Sequence, residues 1–218
     1  MHPDDEQGQT GPLSPLQGQA LTRFARACIR HKLGGAPAER PGGSWGEHPI
    51  ATFVTLRWPD GALQGCIGSL EPRRSLLEDV SHNAVAAALW DPRARPLTLP
   101  DVERLTVEVS VLSPLQPLQV RDELEARARL RPPVDGVVLS WQGRRATFLP
   151  QMWDQLPDPE RFLAALKQKA GLPRDFWHPD LQLWRYSVQR FEDRPAGEPG
   201  SCGQNGLGRA SSGALPSG

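Results

Sequence analysis

Residues 63–70 read Leu-Gln-Gly-Cys-Ile-Gly-Ser-Leu and lie between a strand-like run and a predicted helix. Gly65 and Gly68 bracket Cys66, and glycine allows both positive φ and close approach by other groups. The pattern therefore predicts a tight turn that presents the Cys66 thiol together with free backbone N–H donors. In the alternative interpretation, the glycines only shape the turn and Cys66 is a small buried apolar residue.

The segments before and after this stretch carry clear helix and strand signals. Ser14 followed by proline predicts a helix from Pro15 to Leu33, with Cys28 on its apolar stripe. Alternation predicts a strand at Ala51–Arg57, and Pro59-Asp60-Gly61 supplies the turn of a hairpin into residues 63–70. The capping-box spacing of Ser75 and Glu78 opens a further helix that runs to about Trp90.

The rest of the chain is predicted to contain mostly strands with two helices among them. The predicted elements are a strand at Leu105–Val111, a short helix within Leu118–Arg131, a hairpin of Gly136–Trp141 and Arg145–Leu149, a helix from Asp158-Pro159 to Gly171, and a strand at Leu181–Phe191. Short turns with irregularly inserted helices favour an α+β fold with a largely antiparallel sheet. We expect a disordered tail at 1–13, a folded domain at 14–192, and a second disordered tail at 193–218 that contains Cys202.

Composition excludes several classes of function. The 218 residues carry a formal net charge of +0, and the arginines are spread along the chain, so nucleic acid is not an expected partner. Because the sequence has no long apolar run, we expect neither a membrane span nor a signal peptide. Three cysteines without a C-x-x-C pair, and five scattered histidines, argue against a disulfide framework and a metal site. We expect a cytoplasmic protein that holds neither a metal nor a cofactor.

Residues 63–68 resemble the Leu-Arg-Gly-Cys-Ile-Gly hexapeptide of the AMMECR domain family, whose prokaryotic members are called AmmeMemoRadiSam system protein A. Further motifs in the same order extend the resemblance along nearly the whole predicted domain. They are residues 53–56, Asp91-Pro92-Arg93, and residues 107–113, 148–153 and 169–172. The resemblance implies two unequal lobes around an antiparallel sheet. It also implies a Memo-like protein and a radical SAM protein as partners, in a family whose biochemical activity is not established.

The chain departs from this family pattern at two positions. Gln64 stands where the family has arginine, and Ala94 stands where an aromatic residue usually follows Asp-Pro-Arg. A mechanism that needs a cation beside Cys66 would then depend on another group, such as Arg57 or Arg93. Asp91 and Arg93 also have a purely structural interpretation, in which they form a local ion pair at the end of the helix.

Two hypotheses of function follow. In the first, Cys66 is a nucleophile or redox thiol, which requires a nearby cation, helix N-terminus or base. Asn83 and Glu108 are the candidate partners if they point inward, whereas His82 is expected on an exposed helix face. In the second, the protein is a binding or adaptor module that acts through the Gly65–Gly68 loop. The second is favoured because no general base is evident. The predicted binding residues are Gln64, Gly65, Ile67, Gly68 and Arg93.

Overall fold

The computed structural model describes residues 11–193 and contains two four-stranded antiparallel sheets with helices packed on them. The helices are α1 (Pro15–Lys32), α2 (Leu76–Leu89), α3 (Leu99–Arg104), α4 (Glu123–Arg129) and α5 (Pro159–Lys169). The strands are β1 (Thr52–Arg57), β2 (Leu63–Gly68), β3 (Thr106–Leu112), β4 (Gln116–Pro117), β5 (Gly136–Trp141), β6 (Arg144–Phe148), β7 (Gln182–Tyr186) and β8 (Val188–Asp193). The predicted α+β fold is confirmed.

Most of the two predicted tails, including Cys202, lies outside the described residues. At the N-terminal boundary, Leu13 exchanges two hydrogen bonds with the Gln189 side chain of β8, at 2.8 and 3.3 Å. Among residues 11–193, none of the helices is long and apolar enough to cross a membrane.

The first lobe is a sheet in the order β2-β1-β3-β8, with α1 and α2 on one of its faces. Period-2 alternation in β1 and β3 sends one set of side chains toward these helices and leaves the other set on the opposite face. Fully buried residues of the strands and of α2 form the core between them: Val54, Leu56, Val107, Val109, Leu76, Val80, Ala84 and Ala87. The sheet face away from the helices is called the open face below.

The second lobe is a sheet in the order β4-β7-β5-β6, which packs with α4 and α5 around a separate core. The prediction of one continuous strand at Leu181–Phe191 is wrong. The chain leaves the second sheet after Tyr186 and enters the first sheet at Val188. Two hydrogen bonds hold this crossover: Ser113 N–H donates to the Ser187 carbonyl at 2.9 Å, and Ser187 N–H donates to Ser113 Oγ at 3.0 Å.

A third cluster joins the two lobes. Ala51 and Leu112 of the first lobe pack with Val138 and Tyr186 of the second, and all four are buried. An ion pair between Arg145 of β6 and Glu71, just after β2, adds a second contact. The lobes therefore meet beside the C-terminal end of β2, close to the stretch that the sequence singled out.

Candidate functional site

Cys66 lies within a β-strand, so the predicted tight turn at residues 65–68 is wrong. β2 pairs antiparallel with β1 from Arg57 opposite Leu63 to Phe53 opposite Gly68. Within this hairpin, Gly61 is the glycine that adopts a positive φ, at 81°, in the turn that connects the two strands. The hairpin turn predicted at Pro59-Asp60-Gly61 is therefore present, and only the additional turn at residues 65–68 is absent. That second turn was predicted because Gly65 and Gly68 were interpreted as sources of conformational freedom.

Gly65 and Gly68 are needed for space. A Cβ on Gly65 would lie 2.0 Å from the carbonyl oxygen of Ala87, so this glycine lets α2 approach the strand. A Cβ on Gly68 would lie 2.1 Å from a ring carbon of Phe53, the residue opposite it on β1. The two positions therefore allow close packing on opposite faces of β2.

The backbone N–H groups of Gly65, Cys66 and Ile67 are engaged, so the prediction of free donors around the thiol is wrong at these three residues. Cys66 N–H donates to Asp91 Oδ2 at 2.9 Å. Gly65 and Ile67 face Leu56 and Val54 in the ladder. Successive N–H groups of a β-strand point to opposite sides of the strand. Because the Cys66 N–H points away from β1, the N–H groups of Gly65 and Ile67 point toward β1 and pair with it.

The Cys66 side chain stands on the open face, half-buried, in a polar row that crosses three strands. Thr55 lies opposite Cys66 on β1, and its hydroxyl donates to Cys66 Sγ at 3.2 Å. Glu108 lies opposite Thr55 on β3 and accepts a hydrogen bond from Ser110 Oγ at 3.2 Å. Cys66, Thr55 and Glu108 are called the Cys66 row below. Glu108 thus lies on the open face together with Cys66, with Thr55 between it and the thiol.

Asp91 and Arg93 hold β2 from its outer edge. The Asp91 carboxylate is buried and accepts from Arg93 Nε at 3.0 Å, from Arg93 Nη2 at 2.8 Å and from the Arg93 backbone N–H at 2.9 Å. The Arg93 side chain and, secondarily, the Cys66 N–H hold the pKa of the Asp91 carboxyl far below its usual range. The predicted ion pair at the helix end is present. The Asp91 carboxylate of this ion pair also accepts the hydrogen bond from the Cys66 N–H, which was not predicted.

Arg93 supplies a positive charge near the thiol. Its guanidinium is largely exposed, and its pKa is raised first by the hydrogen bond to Asp91 and to a smaller degree by electrostatic interaction with the Cys66 side chain. The replacement cation expected from the sequence therefore lies within electrostatic range of the sulfur.

The structure does not bring Asn83 together with Cys66. Asn83 lies on the helix side of the sheet, where Nδ2 donates to the Thr52 carbonyl at 3.1 Å and to Asp79 Oδ2 at 2.9 Å. Asp79 in turn accepts from the Thr52 N–H and hydroxyl. Asn83 thus belongs to a buried network that ties α2 to β1. His82 is exposed, as predicted, with its ring edge against Trp90.

Two other predicted binding residues also point away from the open face. Gln64 is fully buried, and its Oε1 accepts from Trp58 Nε1 at 2.9 Å while its Nε2 donates to the Arg95 carbonyl at 2.7 Å. Ile67 packs against the core of the first lobe. Both residues support β2 from behind.

Thr55 is the member of the site that sequence reasoning missed. It alternates with Val54 and Leu56 along β1, so it had to lie on the face opposite the core. Hairpin register then places it beside Cys66, and both signals were available in residues 52–68. In the described part of the chain, no cluster of histidine, cysteine and acidic residues could hold a metal ion.

A family model described as AMMECR1 matches residues 22–191. The chain belongs to the AMMECR1 family. One relative, a protein of Methanothermobacter thermautotrophicus, is 34% identical over 189 residues, which cover 84% of this chain and 97% of that protein. Another AMMECR1 relative, from Methanocaldococcus jannaschii, is 35% identical over 193 residues, which cover 84% and 93%.

A solved structure shares the AMMECR1 fold seen here. The crystal structure of an uncharacterised protein from Pyrococcus horikoshii matches with a TM-score of 0.74 and 31% identity, and covers 85% of this chain and 96% of that chain. The resemblance predicted from residues 63–68 and the motifs in register with them is confirmed.

Proposed function

We propose that this AMMECR1-family protein is a binding module that receives a partner on the open face of its first sheet, at the Cys66 row. The surroundings of the sulfur carry this proposal. Cys66 is half-buried rather than enclosed, and within residues 11–193 its hydrogen-bond partner is the Thr55 hydroxyl, with no imidazole or carboxylate bonded to it. A thiol without a bonded general base is suited to contact and recognition.

The partner docks on the sheet face rather than by adding a strand. β2 is the edge strand of its sheet, and edge strands attract further strands through their free N–H and C=O groups. At Cys66 this route is closed, because the outward N–H is bound by the buried Asp91 carboxylate. Within the row, Thr55 is buried, and the half-buried side chains of Cys66 and Glu108 are the parts that a partner can contact.

The Memo-like and radical SAM proteins implied by the family resemblance are the partners we propose. Each purified partner would be titrated with this protein by isothermal calorimetry at micromolar concentrations. The Glu108→Arg variant reverses the charge at one end of the row and is expected to weaken binding at least about tenfold, which is typical of a misplaced charge in an interface.

Glu103→Arg is the matched control, since Glu103 is an exposed acidic residue on α3, paired with Arg30 outside the Cys66 row. We expect this variant to bind like the unmodified protein. Equal binding by Glu108→Arg would overturn the proposed docking face. Failure of both partners to associate at micromolar concentration would overturn the module proposal itself.

A second candidate function is thiol chemistry at Cys66. The hydroxyl of Thr55 donates to the sulfur, and the Arg93 guanidinium interacts with it electrostatically. Iodoacetamide alkylation, in which the thiolate displaces iodide, measures this directly when the rate at Cys66 is followed against pH in a Cys202→Ser background.

The thiol hypothesis predicts that Cys66 reacts faster than a free peptide thiol below the ordinary thiol pKa of about 8.5. It also predicts that Arg93→Gln slows the reaction. A rate equal to that of the peptide thiol, unaffected by Arg93→Gln, would remove Cys66 as a nucleophile and leave the binding function.

A further inference from the structure

A cavity of about 560 Å³ opens between α1 and α2, and none of the three residues of the Cys66 row lines it. Phe24 and Cys28 of α1 face Leu77 and Val85 of α2 across its floor. The two residues from each helix are four or eight positions apart and so share one helix face. The volume falls within the range of small-molecule sites, roughly 300 to 1,000 Å³.

The floor of this cavity is apolar and closed. Phe24, Cys28 and Leu77 are buried beneath it, and Val85 is half-buried at its side. Burial raises the pKa of the Cys28 thiol, which makes a hydrogen bond with Ser81 across the helix pair. Cys28 therefore contributes an uncharged surface to the floor.

The wall opposite the floor comes from the loop that follows α1. Gly34 adopts a positive φ of 91°, and Gly35 N–H donates to the Arg30 carbonyl at 2.9 Å, so the chain reverses directly after the helix. Residues 37–40 then run back along the helix pair and place Ala38 and Arg40 at the cavity.

The rim carries an excess of positive charge. Lys32, Arg40 and Arg74 line the cavity together with one carboxylate, that of Glu78. Glu78 already accepts from the Ser75 N–H at 3.1 Å and from the Ser75 hydroxyl at 2.8 Å. The chain as a whole has a formal net charge of +0, so this excess is local.

The rim cations are loosely paired. Arg40 is 3.4 Å from Glu47, and both side chains are more than half exposed. Arg74 is 3.4 Å from Asp79, a carboxylate that also serves the Thr52 and Asn83 network. In the described part of the chain, Lys32 belongs to none of the ion pairs. These charges are free to turn toward a bound anion.

We propose that this cavity binds a small organic anion, with its apolar body on the floor of Phe24, Leu77 and Val85. The acidic group of this ligand, a carboxylate, sulfonate or phosphate ester, meets Lys32, Arg40 and Arg74 at the rim. Apolar area and charge then act together, as is usual in pockets where a few polar groups orient a largely hydrophobic ligand. The site is separate from the proposed partner surface.

The probe is 8-anilinonaphthalene-1-sulfonate, followed by its fluorescence, and N-phenyl-1-naphthylamine serves as its uncharged counterpart. We expect one saturable site per chain for the sulfonate. The double variant Lys32→Gln/Arg40→Gln is expected to weaken the sulfonate about tenfold while changing the amine less than about twofold. An equal effect on the two probes would refute the role of the rim charges.

Arg121→Gln/Arg129→Gln is the matched control, because it removes two cations from the α4 region and leaves the cavity intact. It is expected to bind both probes normally. Ser81→Trp fills the cavity and is expected to abolish binding of both. Lack of saturable sulfonate binding, or an equal loss in the control, would overturn the proposal. Cys66→Ser is expected to retain full probe binding, which separates this site from the Cys66 row.

Discussion

Gly65 marks the closest approach between β2 and α2. Because a Cβ there would lie 2.0 Å from the Ala87 carbonyl oxygen, and because both positions belong to the backbone, neither group can rotate away. We expect Gly65→Ala to lower the free energy of unfolding by about 1 to 3 kcal/mol, as overpacking of a core contact does. Urea denaturation followed by circular dichroism measures the change.

Gly42→Ala is the control for this substitution. A Cβ on Gly42 would meet no heavy atom within 4 Å, and Gly42 is not among the glycines with positive φ. Its replacement is expected to change the free energy of unfolding by less than about 0.5 kcal/mol. If the two variants are equally stable, the helix does not rest on the strand at Gly65.

The sequence indicates that residue 65 must be glycine, but it does not indicate which neighbouring group excludes a side chain. The Gly-x-x-Gly spacing identified residues 65 and 68 as positions where a side chain is excluded. The obstacle at Gly65 is a carbonyl of α2, and the obstacle at Gly68 is the Phe53 ring. Both come from other elements, so a local interpretation as a turn was wrong although the need for glycine was real.

Helix α2 depends on a buried polar network as well as on its apolar stripe. Asn83 donates to the Thr52 carbonyl and to Asp79, and it is 1% exposed. Asn83→Ala leaves these acceptors short of a donor, so we expect a loss of about 1 to 3 kcal/mol in the free energy of unfolding. Because Asn83 lies behind the sheet, the rate at which iodoacetamide labels Cys66 should stay unchanged.

His82→Ala provides the comparison, since His82 is the adjacent exposed residue of the same helix. Its effect on stability is expected to stay within about 0.5 kcal/mol. If Asn83→Ala slows the labelling of Cys66 without lowering stability, Asn83 influences the thiol, as the sequence-based hypothesis held.

Elements with strong periodicity were predicted well, and elements defined by long-range pairing were not. The helices α1 and α2 and the strands β1 and β3 follow their apolar spacing. β7 and β8 were predicted as one strand because the alternation of apolar and polar residues does not indicate which sheet a strand joins. The change of sheet is held by Ser113, far away in the sequence. Helix α3 was missed, although Thr98 and Asp101 form a capping box at its start.

At the scale of the whole molecule, the two lobes meet around Tyr186. Tyr186 is 2% exposed, and its hydroxyl lies 2.9 Å from Thr147 Oγ1 and 3.2 Å from the Phe148 carbonyl. It shares the cluster with Ala51 and Leu112 of the first lobe. The resemblance implied two lobes, but only the structure shows which residues join them. Burial raises the pKa of Tyr186 to about 12.

Tyr186 is the single tyrosine of the chain, so its titration reports directly on the packing of the lobes. Ultraviolet absorbance of tyrosinate should rise with a midpoint near 12 in the folded protein and near the ordinary value of about 10 in urea. Since the folded state keeps the proton that the unfolded state releases, stability should fall as the pH rises above about 10. Tyr186→Phe should remove the absorbance transition and much of this loss. A midpoint near 10 without urea would mean that the cluster between the lobes is open to water.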